Sequence, residues 1–186
     1  MWLIFSFACL ALVLSNSSTV TATITVSTTD FTNRIAAGDQ HTCAISNDDT
    51  VWCWGDNTSK QLGSSAHSSL TKSESPVQVA VLPNGRVPVM ITAGSTHTCV
   101  LASDETAWCW GGNGRGQLGD GTFLNQTNPV QVILATPIVS IAAGGQTTCA
   151  RNSVDYLWCW GRNTFGQIGN GASGASGVGS PQEVAK

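Results

Sequence analysis

Val51-Trp52-Cys53-Trp54-Gly55 returns as Ala107-Trp108-Cys109-Trp110-Gly111 and again as Leu157-Trp158-Cys159-Trp160-Gly161. Around each copy the same frame is written out. Upstream lies a small pair, Ala37-Gly38, Ala93-Gly94 or Ala143-Gly144, followed by a cysteine ten residues before the tryptophan-flanked one: Cys43, Cys99 and Cys149. Downstream come Asn57, Asn113 or Asn163, then Gln61-Leu62-Gly63, Gln117-Leu118-Gly119 or Gln167-Ile168-Gly169. A proline-containing segment closes each unit, at Pro76, Pro129 and Pro181. The cysteine-to-cysteine period is 56 residues and then 50. Self-similarity on that scale is the signature of a solenoid, a propeller or a related array.

Within a unit, His41–Ile45 and Thr50–Trp54 flank Ser46-Asn47-Asp48-Asp49, a turn composition, so each unit contains a β-hairpin. Placing the paired cysteines opposite each other sets Thr42 against Trp54 and Ala44 against Trp52, with the same small-against-large pairing in the other two units. Side chains alternate between faces, so both tryptophans of a unit project away from its cysteines. A directly opposed antiparallel pair brings Cα atoms to about 4.5–5.5 Å, within disulfide reach. Cys43 with Cys53, Cys99 with Cys109 and Cys149 with Cys159 are therefore candidate disulfides, each worth about 2–3 kcal/mol. The competing reading is three pairs of reduced thiols serving as small core side chains. No window shows sustained 3.6-residue periodicity, and almost no helix is expected over 23–186.

Composition narrows the function. The chain has 186 residues, 10% of them charged, and a net charge of −3. The few Lys and Arg are scattered, which excludes a basic stripe for nucleic acid. Residues 2–14 form an apolar run that as a helix covers about 20 Å, short of the ~30 Å hydrocarbon core. It reads as a signal-peptide core, with residues 1–22 as leader, and no later segment makes a stable membrane span. Removing the leader takes Cys9 and leaves six cysteines; an even number in a secreted chain favours disulfides. In that setting Asn57 and Asn125 sit in glycosylation sequons, with Asn57 also the repeated loop asparagine.

The run His41-Thr42-Cys43-Ala44-Ile45, then Val51-Trp52-Cys53-Trp54-Gly55-Asp56-Asn57 and Gln61-Leu62-Gly63, resembles the regulator of chromosome condensation repeat family. That superfamily also includes the secreted β-lactamase inhibitor protein II. Unit two, from Trp110 through Gly119 to Thr122, is the nearest match. The resemblance implies an all-β partial propeller of about three four-stranded blades, at about 34–82, 89–135 and 138–186. Three blades fall short of the 4–8 of known propellers. Trp52, Trp54, Trp108, Trp110, Trp158 and Trp160, with Gly55, Gly111 and Gly161, become structural repeat positions. Open blade edges invite self-association.

No reactive constellation recurs. Gly114-Arg115-Gly116-Gln117-Leu118-Gly119 has a dinucleotide-binding spacing but lacks βαβ context. His41 and Cys43 share a strand face, as do His97 and Cys99, yet unit three keeps Cys149 and has Thr147 in the histidine place. Ten-residue cysteine gaps across a hairpin do not suit zinc. The sequence thus predicts no enzyme, no cofactor and no metal. The leading expectation is a secreted, non-catalytic module that binds a protein through loops 64–75, 120–128 and 170–179. The alternatives are an intracellular regulator of a small GTPase, acting in nucleotide exchange, and a non-functional propeller fragment.

Overall fold

The computed structural model describes residues 34–185. The expected leader, the strand read at 21–26 and Cys9 lie outside them. Twelve strands form three four-stranded antiparallel sheets, each taken in chain order. The first blade holds β1 (Ile35–Ala37), β2 (His41–Ile45), β3 (Val51–Asp56) and β4 (Lys72–Gln78). The second holds β5 (Pro88–Ala93), β6 (His97–Ala102), β7 (Ala107–Gly111) and β8 (Gln126–Gln131). The third holds β9 (Ile138–Gly144), β10 (Thr147–Asn152), β11 (Leu157–Asn163) and β12 (Ala175–Glu183). Helix among the described residues is confined to two 3-10 turns, Ser65–His67 and Pro83–Gly85.

The cross-strand register is the one the sequence dictates. Cys43 pairs with Cys53, Thr42 with Trp54 and Ala44 with Trp52. Thr98 pairs with Trp110 around Cys99 and Cys109, and Thr148 with Trp160 around Cys149 and Cys159. Each cysteine pair is joined as a disulfide across a Cα–Cα distance of 4.1 Å.

This alternation builds the core between blades rather than within them. Cysteines face the following blade and tryptophans the preceding one. One apolar cluster joins Cys43, Ile45 and Leu62 of the first blade to Ile91, Val100 and Trp110 of the second. A second cluster joins Cys99 and Leu118 to Ile141, Ala150 and Trp160 of the third. Trp110 and Trp160 have no exposed surface. Burying one of these indoles at each junction stabilises it by about 3 kcal/mol, the upper end of the range for a large apolar side chain.

The glycine of each Gln-Leu-Gly run is what lets the indole approach. A Cβ on Gly63 would stand 2.5 Å from Trp110 Nε1, and one on Gly119 would stand 2.7 Å from Trp160 Nε1. Both glycines also have positive φ, +68° in each case, a region that costs other residues about 1–2 kcal/mol. The Gly114–Gly119 run that carries a dinucleotide-like spacing is therefore a seat for a neighbouring indole.

Candidate protein-interaction rim

Two hydrogen bonds recur at each junction. Trp110 Nε1 donates to the Gln61 carbonyl at 2.9 Å, and Trp160 Nε1 donates to the Gln117 carbonyl at 2.9 Å. His41 Nε2 meets Thr98 Oγ1 at 2.8 Å, and His97 Nε2 meets Thr148 Oγ1 at 2.8 Å. Thr148 in turn donates to the Gln117 carbonyl at 2.8 Å. A threonine that gives its proton to a carbonyl must accept from the imidazole, so His97 carries its proton on Nε2. Its Nδ1 is then a bare acceptor, and it has no hydrogen-bond partner, like Nδ1 of His41. Burial drives His41 down to about 4 against the opposing pull of Asp56 and Asp39. Burial, reinforced by His41, drives His97 down to about 3. Both imidazoles are neutral structural pins. The histidine–cysteine nucleophile weighed from the sequence does not form, since the cysteines are bonded and the imidazoles face the next blade.

The topology sorts the loops. In an antiparallel blade of this order, the first-to-second and third-to-fourth connections emerge at the same end. One rim therefore carries the turns 38–40, 94–96 and 145–146, together with loops 57–71, 112–125 and 164–174. The loops predicted to bind lie here, although 72–75, 126–128 and 175–179 are strand rather than loop.

A buried asparagine organises each long loop. Asn57 Oδ1 accepts from Leu62 N at 3.1 Å, while its Nδ2 donates to the Leu70 and His67 carbonyls at 2.9 and 3.2 Å. Asn113 Oδ1 accepts from Leu118 N, and its Nδ2 reaches Asp120 and Thr122. Asn163 repeats the pattern with Ile168 N and the Ala172 carbonyl. Asn57 is thus buried with its amide nitrogen committed, which removes it as a glycan acceptor. Asn125 is exposed and its Oδ1 accepts from Asn113 N at 2.9 Å.

Anchored in this way, the loops hold large apolar side chains out in solvent. Phe165 is 83% exposed, Leu124 70%, Phe123 52% and Leu70 39%. Arg162 lies over the Phe165 ring at 5.6 Å from the centroid, a cation–π contact that orients both. Apolar and aromatic side chains beside arginine are the composition of a protein-binding surface. The loops predicted from the sequence contain Leu70, Phe123 and Leu124 but not Phe165, which precedes 170–179, and none of the four was singled out, because their exposure depends on where the asparagine clamps turn the chain. Among the described residues no His, Cys, Asp or Glu group could hold a metal. None of the described helices is long and apolar enough to cross a membrane.

A family model described as Regulator of chromosome condensation (RCC1) repeat matches residues 48–101 and 104–151, and a second model of the same repeat matches 33–61 and 138–167. The chain belongs to this repeat family. Human probable E3 ubiquitin-protein ligase HERC3 is 35% identical over 100 residues, 54% of this chain and 9% of HERC3. The X-linked retinitis pigmentosa GTPase regulator homolog of Caenorhabditis elegans is 33% identical over 85 residues, 46% of this chain and 6% of the relative. The chain therefore spans only a small part of these relatives. Yeast RCC1 (Prp20), solved bound to Kap60, superposes with a TM-score of 0.74 at 22% identity, over 82% of this chain and 36% of Prp20. A further structure of Prp20p from Saccharomyces cerevisiae, described with its binding properties to Gsp1p and histones, gives 0.71. These likenesses establish the propeller fold.

The same findings correct the expectation of a secreted, extracellular module with a signal peptide and glycans. The matched proteins are a ubiquitin ligase, a GTPase regulator homolog and a protein characterised for binding Gsp1p and histones. The expectation of secretion rests on the apolar run at residues 2–14, which lies outside the described residues. These relatives favour the alternative of an intracellular regulator over the secreted module. The expectation of a non-catalytic scaffold rests on membership of the repeat family.

Proposed function

We propose that the chain is an intracellular, non-catalytic regulatory scaffold that binds a small GTPase or a protein of a GTPase pathway through the rim of loops 57–71, 112–125 and 164–174. The observation that carries this reading is the set of exposed apolar side chains, Leu70, Phe123, Leu124 and Phe165, held on one rim by buried asparagine clamps. The likeness to a GTPase regulator homolog and to a propeller characterised for its binding to Gsp1p supports the choice of partner class. Biolayer interferometry of the full chain against a panel of small GTPases, in nucleotide-free, GDP and GTP forms, tests the proposal. Binding that falls at least tenfold in Phe123→Asp and Phe165→Asp is expected. Release of a fluorescent guanine nucleotide then distinguishes exchange from tethering. Absence of binding across the panel, or binding indifferent to both substitutions, overturns the proposal.

A further inference from the structure

Asn-Gly occurs three times in the sequence, at Asn84-Gly85, Asn113-Gly114 and Asn170-Gly171, and the fold holds the three differently. Asn113 is buried; its Oδ1 accepts from Leu118 N at 3.0 Å, and its Nδ2 donates to Asp120 Oδ1 at 3.0 Å and to the Thr122 carbonyl at 3.1 Å. Asn170 is half-buried, and its Oδ1 accepts from Ala172 N at 3.1 Å. Asn84 is exposed, and among the described residues its side chain makes no hydrogen bond. It sits at the tip of the linker between β4 and β5 with φ 60° and ψ 26°, a left-handed conformation that asparagine tolerates in turns. Gly85 follows with φ +67°, and a Cβ built on it would meet nothing within 4 Å. Arg86 closes the turn. Its Nη1 donates to the Pro83 carbonyl at 2.8 Å and its Nε to Asp104 Oδ2 at 2.6 Å, with the guanidinium 5.1 Å from the Trp108 ring centroid.

We propose that Asn84 is a self-modification site, at which the backbone nitrogen of Gly85 converts the asparagine to aspartate and isoaspartate. As the deprotonated amide, Gly85 N attacks Asn84 Cγ. The N–Cγ bond forms, the Cγ–Nδ2 bond breaks, and ammonia leaves with the proton that the glycine amide released. Water then opens the five-membered imide. Addition at Cγ gives aspartate; addition at the Asn84 main-chain carbonyl gives isoaspartate, in which the chain runs on through Cβ and Cγ. Water enters, ammonia departs, and nothing is oxidised or reduced. Ring closure needs a free carboxamide and a backbone able to swing about the Asn84 ψ bond, a swing that a following glycine obstructs least. Of the three dipeptides, Asn84-Gly85 alone has its carboxamide free. The product adds one negative charge to a net charge of −3. That carboxylate stands two residues from Arg86 and competes with Asp104 for its guanidinium, which loosens the linker from the second blade's hairpin. The linker from β4 to β5 emerges at the end opposite the rim loops, so the inference is independent of the partner proposed for the rim.

Timed incubation of the full chain at neutral and mildly alkaline pH, followed by peptide mass mapping, tests it. Amide-to-acid conversion is expected first at Asn84, and faster at the higher pH because the attacking group is a deprotonated amide. Asn170, with one side-chain hydrogen bond to break, should follow roughly 3- to 10-fold more slowly, and Asn113, with three, roughly 100-fold more slowly. Transfer of a labelled methyl group from S-adenosylmethionine by an isoaspartyl methyltransferase should mark the Asn84 peptide first. In urea the three dipeptides should convert at similar rates, since the fold sets their order. Asn84→Gln, which cannot close a five-membered ring, should remove the first conversion. Hydrogen exchange over residues 79–87 should rise on ageing in the parent and not in that variant. Conversion at Asn170 or Asn113 ahead of Asn84 in the folded chain, the same order and spacing in urea, or an aged linker with unchanged exchange would each overturn the proposal.

Discussion

Two buried imidazoles should make this fold sensitive to acid well above the range in which its carboxylates titrate. His41 and His97 have folded pKa values of about 4 and about 3, against about 6.5 in an unfolded chain. Between these values the unfolded chain binds protons that the folded chain refuses. Stability is therefore fully present above about pH 6.5 and is lost as pH falls toward the folded values. Each histidine removes about 1.4 kcal/mol per pH unit in that window. Between pH 7.5 and 5.5 the pair removes about 3 kcal/mol, which for a chain of this length lowers Tm by roughly 6–12 °C. Thermal melts followed by tryptophan near-UV circular dichroism at both pH values measure the drop. In the His41→Gln/His97→Gln double variant, a glutamine amide can still donate to Thr98 and Thr148 but does not titrate. That variant should be less stable at pH 7.5 yet lose most of the pH dependence. Asp48 and Asp104 do not confuse the result. Hydrogen bonds led by Ser46 and Thr106, respectively, hold their carboxyls below the usual range and hence below this window. Equal slopes in the parent and the double variant would refute the reasoning.

Three further outcomes follow from the packing. Gly119→Ala should cost about 2–4 kcal/mol in chemical denaturation, combining overpacking against Trp160 with a positive φ, whereas Gly171→Ala, which meets nothing within 4 Å, should cost about 1 kcal/mol. Trp52 and Trp108 donate to Thr50 and Thr106 in their hairpin turns, while Trp158 Nε1 is buried without a hydrogen-bond partner beside Tyr156. Val154→Asp/Tyr156→Thr should supply the missing turn and stabilise by about 1–2 kcal/mol in urea unfolding. On titration with a mild reductant and thiol alkylation, Cys149–Cys159 should open before the other two pairs, because Cys149 alone of the inner cysteines is part-exposed; mass mapping gives the order.

Strand pairing was legible in the sequence because it rests on local, repeated chemistry. A turn between two short runs fixes the hairpin, and a residue beside each cysteine fixes the register, so Thr42 against Trp54 follows from counting. Junctions were less legible. The acceptors for Trp110 and Trp160 are main-chain carbonyls of Gln61 and Gln117, and a carbonyl has no sequence signature. The only hint was that the same run recurs in all three units, as Gln61-Leu62-Gly63, Gln117-Leu118-Gly119 and Gln167-Ile168-Gly169. His41 and His97 stood out, but they were weighed against the cysteines on their own strand. Their partners, Thr98 and Thr148, lie 57 and 51 residues away. Among the rim residues, Phe165 carried no signal, since an aromatic loop residue reads equally as core or as surface until the asparagine clamp places it.

The correction of compartment changes what the cysteines mean without changing where they are. Oxidising surroundings were inferred from residues 2–14, and the disulfides from those surroundings. The pairing itself depends on neither. Cys43 opposes Cys53 because the hairpin register demands it, and the same small volume beside Thr98 is filled by two thiols or by one disulfide. Each bond closes a loop of sequence separation 10, a constraint on the unfolded chain of about 3 kcal/mol. By contrast, indole-to-carbonyl and imidazole-to-hydroxyl contacts join different blades, and no hairpin constraint can replace them. Redox state therefore sets how much stability each blade has in hand, while the junction pins decide that the blades form an arc at all. The asparagine clamps, the indole-to-carbonyl bonds and the imidazole-to-hydroxyl bonds involve no sulfur, so reduction of the three disulfides should leave the arrangement of the rim in place.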